Sequence, residues 1–204
     1  MRVLELFAGT HSVGKVCKEL GYEVVSLDLT GADININILE WDYKKAFEPG
    51  HFDVIWASPP CHTFSNCRRC WINRKTKYFG DKIITAKMLD DDMETNGLPI
   101  VRKTEEIIKY FNPNRWIMEN PSTGKMKDYL KHLPHYDVDY CRYSDWGYKK
   151  PTRFWTNKEG FVPLKCNKNC GNMNGNKHKQ RLDHTPGLHL RYRVPPKLIE
   201  ELLI

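Results

Sequence analysis

No run in this chain approaches the ~18 apolar residues that a membrane span requires. The N-terminus goes straight into Arg2-Val3-Leu4-Glu5-Leu6-Phe7 without the layout of a secretory signal. A soluble, intracellular protein is therefore expected. The seven cysteines are an odd number, which in that setting argues against a disulfide framework and leaves reduced thiols, a metal site or a catalytic thiol. No internal repeat is present, and the glycine-bearing turn near the N-terminus lacks the full dinucleotide fingerprint, so a pyrophosphate site is disfavoured. At 204 residues the chain is long enough for one domain with a real core and a small excursion, and too short for two full domains.

What is abundant is basic charge, and it is concentrated. The chain carries a net charge of +7, yet residues 141 to 193 hold twelve Lys/Arg against three Asp/Glu, and residues 61 to 82 hold six against one. The remainder is net acidic. Two basic segments on an acidic body suggest a groove for a polyanion, although solvated lysine-rich loops would give the same count.

Alternating apolar and crossover patterns predict an α/β fold. Residues 2–7 read as a buried strand, 8–14 as a glycine-bearing turn entering a helix that runs to about Leu20, and 23–28 as a second strand ending in Asp28. A turn that lets backbone approach a ligand, followed about twenty residues later by an acid at a strand end, is the logic of a ribose-binding crossover. Residues 35–39 read as a short third strand, 52–57 as a fourth, 93–111 as a helix, 115–120 as a fifth strand closed by Pro121, and 126–133 as a helix. Residues 136–142 and 151–156 read as further strands, and 195–203 as an amphipathic helix. The polar, basic stretch from Asn66 to about Lys87 is a long loop of the functional or mobile kind.

Pro59-Pro60-Cys61 leaves the fourth strand, where open parallel sheets place their sites. Two prolines fix the direction of the thiol, as a nucleophile requires. Alone, the motif reads first as a buried structural thiol beside a turn. Glu119 closes the fifth strand on the same edge, which raises the catalytic reading of both.

With the strand ends collected, the chain resembles the cytosine-5 methyltransferases that use S-adenosylmethionine. Leu6 to Gly14 looks like the family's first motif and Asp28 like its ribose-binding acid. Pro59-Pro60-Cys61 with Phe64-Ser65 looks like the nucleophile motif, Glu119-Asn120 like the acid-bearing motif, and Arg153 like the second of two family arginines. The resemblance covers residues 1 to 156. It implies a Rossmann-like class I methyltransferase sheet with helices on both faces: a catalytic domain over residues 1–156, a small target-recognition excursion over 157–190, and a helix over 191–204 that packs back. Implied cofactor contacts are Phe7, Ala8, Gly9, Thr10, His11, Ser12, Asp28, Asn37, Ile38 and Pro59. Implied catalytic residues are Cys61, Glu119 and Arg153. Implied nucleic-acid contacts are Ser65, Arg68, Arg69, Lys75, Asn120, Lys150 and Lys165.

The chemistry agrees. Carbon 5 of cytosine is a poor nucleophile until a thiolate adds to carbon 6, and covalent catalysis splits that step in two. Basic neighbours and backbone donors are expected to lower the Cys61 pKa, and a protonated Glu119 can bind ring nitrogen 3. The target lies inside the stack, so the nucleotide must be flipped, with the basic loop after Cys61 closing over it. Three departures stand out. Asn37 replaces an aspartate, Pro151 replaces the first paired arginine, and Arg191-Tyr192-Arg193-Val194-Pro195-Pro196 stands where an asparagine-bearing motif usually closes the family's C-terminus. So short a recognition region suggests a short site or little selectivity. Within it Cys166 and Cys170, with His178 or His184, are candidate zinc ligands, and Cys67 with Cys70 a second pair. Neither set supplies four ligands by itself, and unliganded thiols are the alternative. DNA is the expected partner, acted on by a monomer, with RNA as an alternative. A non-catalytic nucleic-acid-binding relative would not need both Cys61 and Glu119. An exocyclic-amine enzyme would carry an aromatic residue where this chain carries the thiol.

Overall fold

The structure is a computed structural model that describes residues 1–204, the side chain of Leu188 excepted. Its centre is a seven-stranded sheet formed by β1 (Arg2–Leu6), β2 (Glu23–Asp28), β3 (Ile34–Asn35), β4 (Val54–Ala57), β5 (Arg115–Pro121), β6 (His135–Asp139) and β7 (Pro151–Thr156), in the order β3-β2-β1-β4-β5-β7-β6. All pairs from β3 to β5 are parallel; β7 runs antiparallel between β5 and β6. Strand order reverses between β1 and β4, the switch point where a ligand finds an open crevice beyond the carboxyl ends of the strands.

Strand alternation divides the core into two faces. Leu4, Leu6, Ile55, Ala57 and Met118 point to one face, where Leu98, Val101, Ile107 and Phe111 of α4 (Leu98–Phe111) cover them. Val3, Val54, Trp56 and Ile117 point to the other. There α1 (Ser12–Glu19) contributes Val13, Val16 and Cys17, and the C-terminal helix (Pro196–Leu203) contributes Leu198, Ile199 and Leu202. Among the described residues no helix is long and apolar enough to cross a membrane.

Four elements differ from the sequence reading. The third strand, expected over 35–39, is only Ile34–Asn35. Asn37 turns the chain there: its side chain accepts from the Leu39 N–H and its carbonyl from the Glu40 N–H, while Ile38 drops into the core. A small helix, α2 (Tyr43–Ala46), follows, capped by Asp42. The helix expected over 93–111 is α3 (Ala86–Asp92), a π turn at Met93–Gly97, and then α4. The π turn accommodates the chain after Cys61, because a Cβ on Gly97 would lie 2.3 Å from Thr63 Oγ1 and about 3 Å from the Phe64 ring. The helix expected over 126–133 stops as α5 (Met126–Tyr129), and the strand expected over 136–142 ends at Asp139, after which Tyr140–Arg142 coils into a 3₁₀ turn. The excursion contains a hairpin of β8 (Met173–Asn174) and β9 (Lys177–His178), then α6 (Leu188–Tyr192), before α7 (Pro196–Leu203) closes the chain.

The carboxyl group of Glu5 lies inside the second face. The Glu5 carboxylate accepts from the Val13 and Gly14 N–H groups at the start of α1, at 3.2 and 3.1 Å. Gly14 permits the approach, since a Cβ there would sit 2.6 Å from Glu5 Oε2. Burial pushes the Glu5 carboxyl up from 4.5 to about 7, against the pull of those N–H groups and of His11. The folded state thus keeps a proton that the unfolded chain releases above about 4.5. The stability linked to it is present below that pH and lost as pH rises through 7, on the order of 3 kcal/mol. Urea unfolding at pH 5 and 7.5 should therefore show the wild type losing stability relative to Glu5→Gln as pH rises. Parallel curves for the two proteins would mean that Glu5 is ionised throughout.

Candidate active site

The β1–α1 turn is built for close approach. Phe7, Gly9 and His11 all adopt left-handed φ, at 61°, 49° and 54°. For Phe7 that conformation is uncommon, and it is held by two N–H donors, Phe7 and Ala8, that share the Leu27 carbonyl at 2.8 and 3.1 Å. Asp28, at the end of β2, accepts from Gly9 N–H at 2.8 Å through one oxygen and from Leu29 N–H at 2.7 Å through the other. A carboxylate offers about four lone pairs, so two remain for hydroxyl donors. His11 Nε2 lies 2.8 Å from the Gly31 carbonyl, and the Thr10 and Ser12 hydroxyls lie 2.7 Å apart. These groups, with half-buried Asn37, buried Ile38 and buried Pro59, line up along the carboxyl ends of β1, β2 and β4. Acceptors without cationic side chains suit a ribose-bearing ligand that lacks phosphates.

Across the switch point, the chain leaving β4 is anchored before it reaches Cys61. Ser58 N–H donates to the Leu6 carbonyl, and the Pro59 carbonyl accepts from Asn120 Nδ2 at 2.8 Å. Asn120 therefore holds the approach to the thiol from beneath rather than presenting itself at the surface; it is buried. Glu119, its neighbour on β5, is 6% exposed and takes two partners on a single oxygen: the Tyr140 hydroxyl donates to Oε1 at 3.1 Å, and Lys150 Nζ lies 3.5 Å from the same atom. Lys150 is 7% exposed and sits 4.8 Å from the centre of the Tyr140 ring.

Cys61, half-buried, feels both charges. Burial pushes its thiol above the ordinary range, the negative charge of Glu119 pushes it further, and Lys150 pulls the other way. The depressed pKa expected from basic neighbours is thus not met: the cation is present, but burial and the carboxylate outweigh it. A thiolate forms here most readily when the charge on Glu119 is neutralised.

The structure distributes the remaining site residues unevenly. Arg68 is only 4% exposed, with its guanidinium 2.6 Å from Asp92 and ringed by Trp71, Tyr78 and Phe79 at 5.1–5.4 Å. Tyr78 and Asn96 also donate to Asp92. Arg68 is the hub of the loop after Cys61, whereas Arg69 and Lys75 face solvent. Ser65 caps the next turn by accepting from Cys67 N–H at 3.3 Å. Arg153 pairs through two nitrogens with Asp137 at 2.7 and 2.9 Å, and exposed Lys165 lies 3.6 Å from the same carboxylate. The cation beside Glu119 is therefore Lys150. Cys166, Cys170 and His178 come together, joined by Cys141. Among the described residues, His184 and the pair Cys67 and Cys70 belong to no such group.

Sequence reasoning missed Tyr140, Cys141 and the place of Lys150. Each lies beyond the fifth strand, and only the insertion of β7 between β5 and β6 brings that segment against Glu119.

No protein-family model matches the sequence. A curated relative from Frog virus 3 (isolate Goorha), named "Probable DNA (cytosine-5)-methyltransferase", is 47% identical over 218 residues, spanning 100% of this chain and 99% of its own. Among solved structures, an E. coli "putative DNA modification methyltransferase encoded within prophage" superposes with a TM-score of 0.50 at 13% identity, covering 80% of this chain and 51% of its own. Spodoptera frugiperda DNMT2 gives 0.46 at 18% identity, covering 82% and 55%. The chain spans about half the length of these two solved proteins, and its likeness to the first is one of fold.

Proposed function

Because this chain belongs to the DNA (cytosine-5)-methyltransferase family, we propose that it methylates carbon 5 of cytosine in DNA through a covalent adduct with Cys61. The observation that carries the reading is the convergence of Cys61 with Glu119, Tyr140 and Lys150 beyond the ends of β4 and β5, beside a turn shaped for a ribose-bearing ligand. S-adenosylmethionine, when bound, supplies an electrophilic methyl group. The residues that would hold it are Phe7 to Ser12, Asp28, Asn37, Ile38 and Pro59. Asp28 retains acceptor capacity for the ribose, and the Asn37 amide oxygen already accepts once, from Leu39.

A cytosine reaches such a site only by leaving its stack, which costs a few kcal/mol. The segment after Cys61 would cover the flipped base, with exposed Arg69 and Lys75 available to phosphates and with buried Arg68 giving it shape. The thiolate adds to carbon 6; the electrons of the 5,6 double bond move to carbon 5 as ring nitrogen 3 takes a hydrogen bond or proton from Glu119. Both of these partners of Glu119 engage Oε1, and Oε2 is the oxygen we assign to the base. A Glu119 that carries its proton when the base arrives does not raise the thiol, so Cys61 loses its proton most readily before that proton moves to ring nitrogen 3; the carboxylate left behind is held by Tyr140 and Lys150. Once carbon 5 carries the methyl group, its proton leaves to a base, the electrons of that C–H bond re-form the 5,6 double bond, the bond from carbon 6 to Cys61 Sγ breaks to return the thiolate, and ring nitrogen 3 gives its proton back to Glu119.

Oligonucleotides carrying 5-fluorocytosine test this, because fluorine cannot leave as a proton does and the adduct persists. Incubation with S-adenosylmethionine should yield a denaturation-stable complex with DNA that Cys61→Ala abolishes. An adduct formed with RNA alone would move the substrate to RNA. No adduct with either, across varied sequence contexts, would overturn the mechanism.

A further inference from the structure

We infer that Cys141, Cys166, Cys170 and His178 form a structural zinc site that fastens the excursion after β7 to the catalytic sheet. The four ligand atoms lie within 4.8 Å of one another. Cys166 Sγ and Cys170 Sγ lie 3.6 and 3.4 Å from His178 Nε2. Tetrahedral zinc, with bonds of about 2.3 Å to sulfur and 2.0–2.1 Å to nitrogen, places sulfur and nitrogen about 3.6 Å apart. A thiol hydrogen bond would also fit one of these distances. The single lone pair of Nε2 accounts for one such bond, whereas a shared cation accounts for both and for the third sulfur. Three thiolates and an imidazole make a closed set, the donor chemistry of structural zinc rather than of a hard cation.

The surroundings support a centre of net negative charge. Lys168 takes a left-handed φ of 62° in the turn between Cys166 and Cys170. The Cys166 N–H donates to Asp139 Oδ2 at 2.8 Å, and Lys149 Nζ bridges Asp139, at 3.2 Å, and the Cys166 carbonyl, at 3.4 Å. Buried Asn172 donates to the carbonyls of Cys141 and Ser144 at 2.9 and 2.7 Å and accepts from Gly147 N–H, locking the excursion against the turn that carries Cys141. The β8–β9 hairpin delivers His178 opposite Met173.

The excursion also needs a staple. Its local core is the three cysteines with Met173 packed on them, too little apolar surface to order a segment rich in Gly, Asn and Lys. Metal binding supplies that free energy directly. Because Cys141 follows Tyr140, the donor to Glu119, the metal would also fix one wall of the site described above.

Metal analysis of the full chain, purified under reducing conditions without chelator, should find one zinc per chain. Cobalt(II) bound to the metal-stripped protein should give the visible absorption of a tetrahedral thiolate site. Cys141→Ser should lose that spectrum, and its melting temperature should no longer respond to chelator, whereas a double Cys67→Ser, Cys70→Ser variant should keep both properties. If Cys141→Ser does not fold, the wild-type cobalt titration decides alone. Reduced protein that holds no zinc and gives no cobalt spectrum, iron in place of zinc, a disulfide among these cysteines, or loss of metal in the Cys67/Cys70 variant would each overturn the site. None of these readouts depends on methyl transfer, so the site stands or falls apart from the proposed reaction.

Discussion

Cys61→Ser is expected to lower kcat for methyl transfer by at least ~10⁴-fold, as deletion of a covalent nucleophile does elsewhere, while leaving the fold and cofactor affinity in place. The hydroxyl that replaces the thiol is a far weaker nucleophile near neutral pH and gains its reactivity in enzymes from a hydrogen-bonded base. Cys61 is half-buried at the exit of β4, and the anchors that hold this segment belong to Ser58, Pro59 and Asn120 rather than to Cys61 itself. Melting temperature and calorimetric binding of S-adenosylmethionine should therefore match the wild type. Tritium transfer to cytosine-containing duplexes measures the loss. Residual turnover within tenfold of wild type would remove the covalent step, and a collapse in melting temperature would mean that the thiol is a packing residue after all.

The wild-type rate should also rise with pH, since the thiol lies above its ordinary range and thiolate becomes more abundant as pH increases. A cysteine lowered by basic residues would already be thiolate at neutral pH and would give a flat profile there. The difference shows where sequence stopped being informative. Pro59-Pro60-Cys61 and Glu119 were legible because each ends a short apolar run, and parallel sheets gather such ends along one edge. The electrostatics of Cys61 were not, because they depend on depth and on which charge lies nearer. Arg68 and Lys150 make the same point: both stand in basic stretches that read as solvated, yet each is buried against a carboxylate, Asp92 and Glu119. Arg153, given a catalytic role by the resemblance, is held on β7 by Asp137 across the strand pair with β6. The third strand was overestimated because Asn37, which alternation admits, turns the backbone with its own amide. Cys141 could be joined to Cys166 only by three-dimensional proximity, since 24 intervening residues include the whole of β7.

Glu119→Gln should separate two properties that an ordinary active-site lesion would move together. Glutamine keeps the shape and an acceptor for the Tyr140 hydroxyl, but it carries no charge and delivers no proton to ring nitrogen 3. Losing that delivery should lower kcat by ~10²–10⁴-fold, the usual contribution of a positioned general acid. The thiol should respond in the opposite sense. Glu119 raises Cys61 and Lys150 lowers it, so removing the carboxylate leaves the ammonium group unopposed 3.5 Å from the former Oε1 position. Thiolate should then be more abundant at a given pH, and iodoacetamide should alkylate Cys61 faster in the variant than in the wild type at pH 7.5, with alkylation of Cys67 and Cys70 as the internal reference. Slower alkylation together with slower methylation would indicate a collapsed pocket. Faster alkylation with unchanged methylation would leave Glu119 as a brake on the thiol and place the activation of the ring elsewhere. Only the opposed pair of changes fits a carboxyl group that serves the ring as a proton donor while its charge, when present, holds the thiol back.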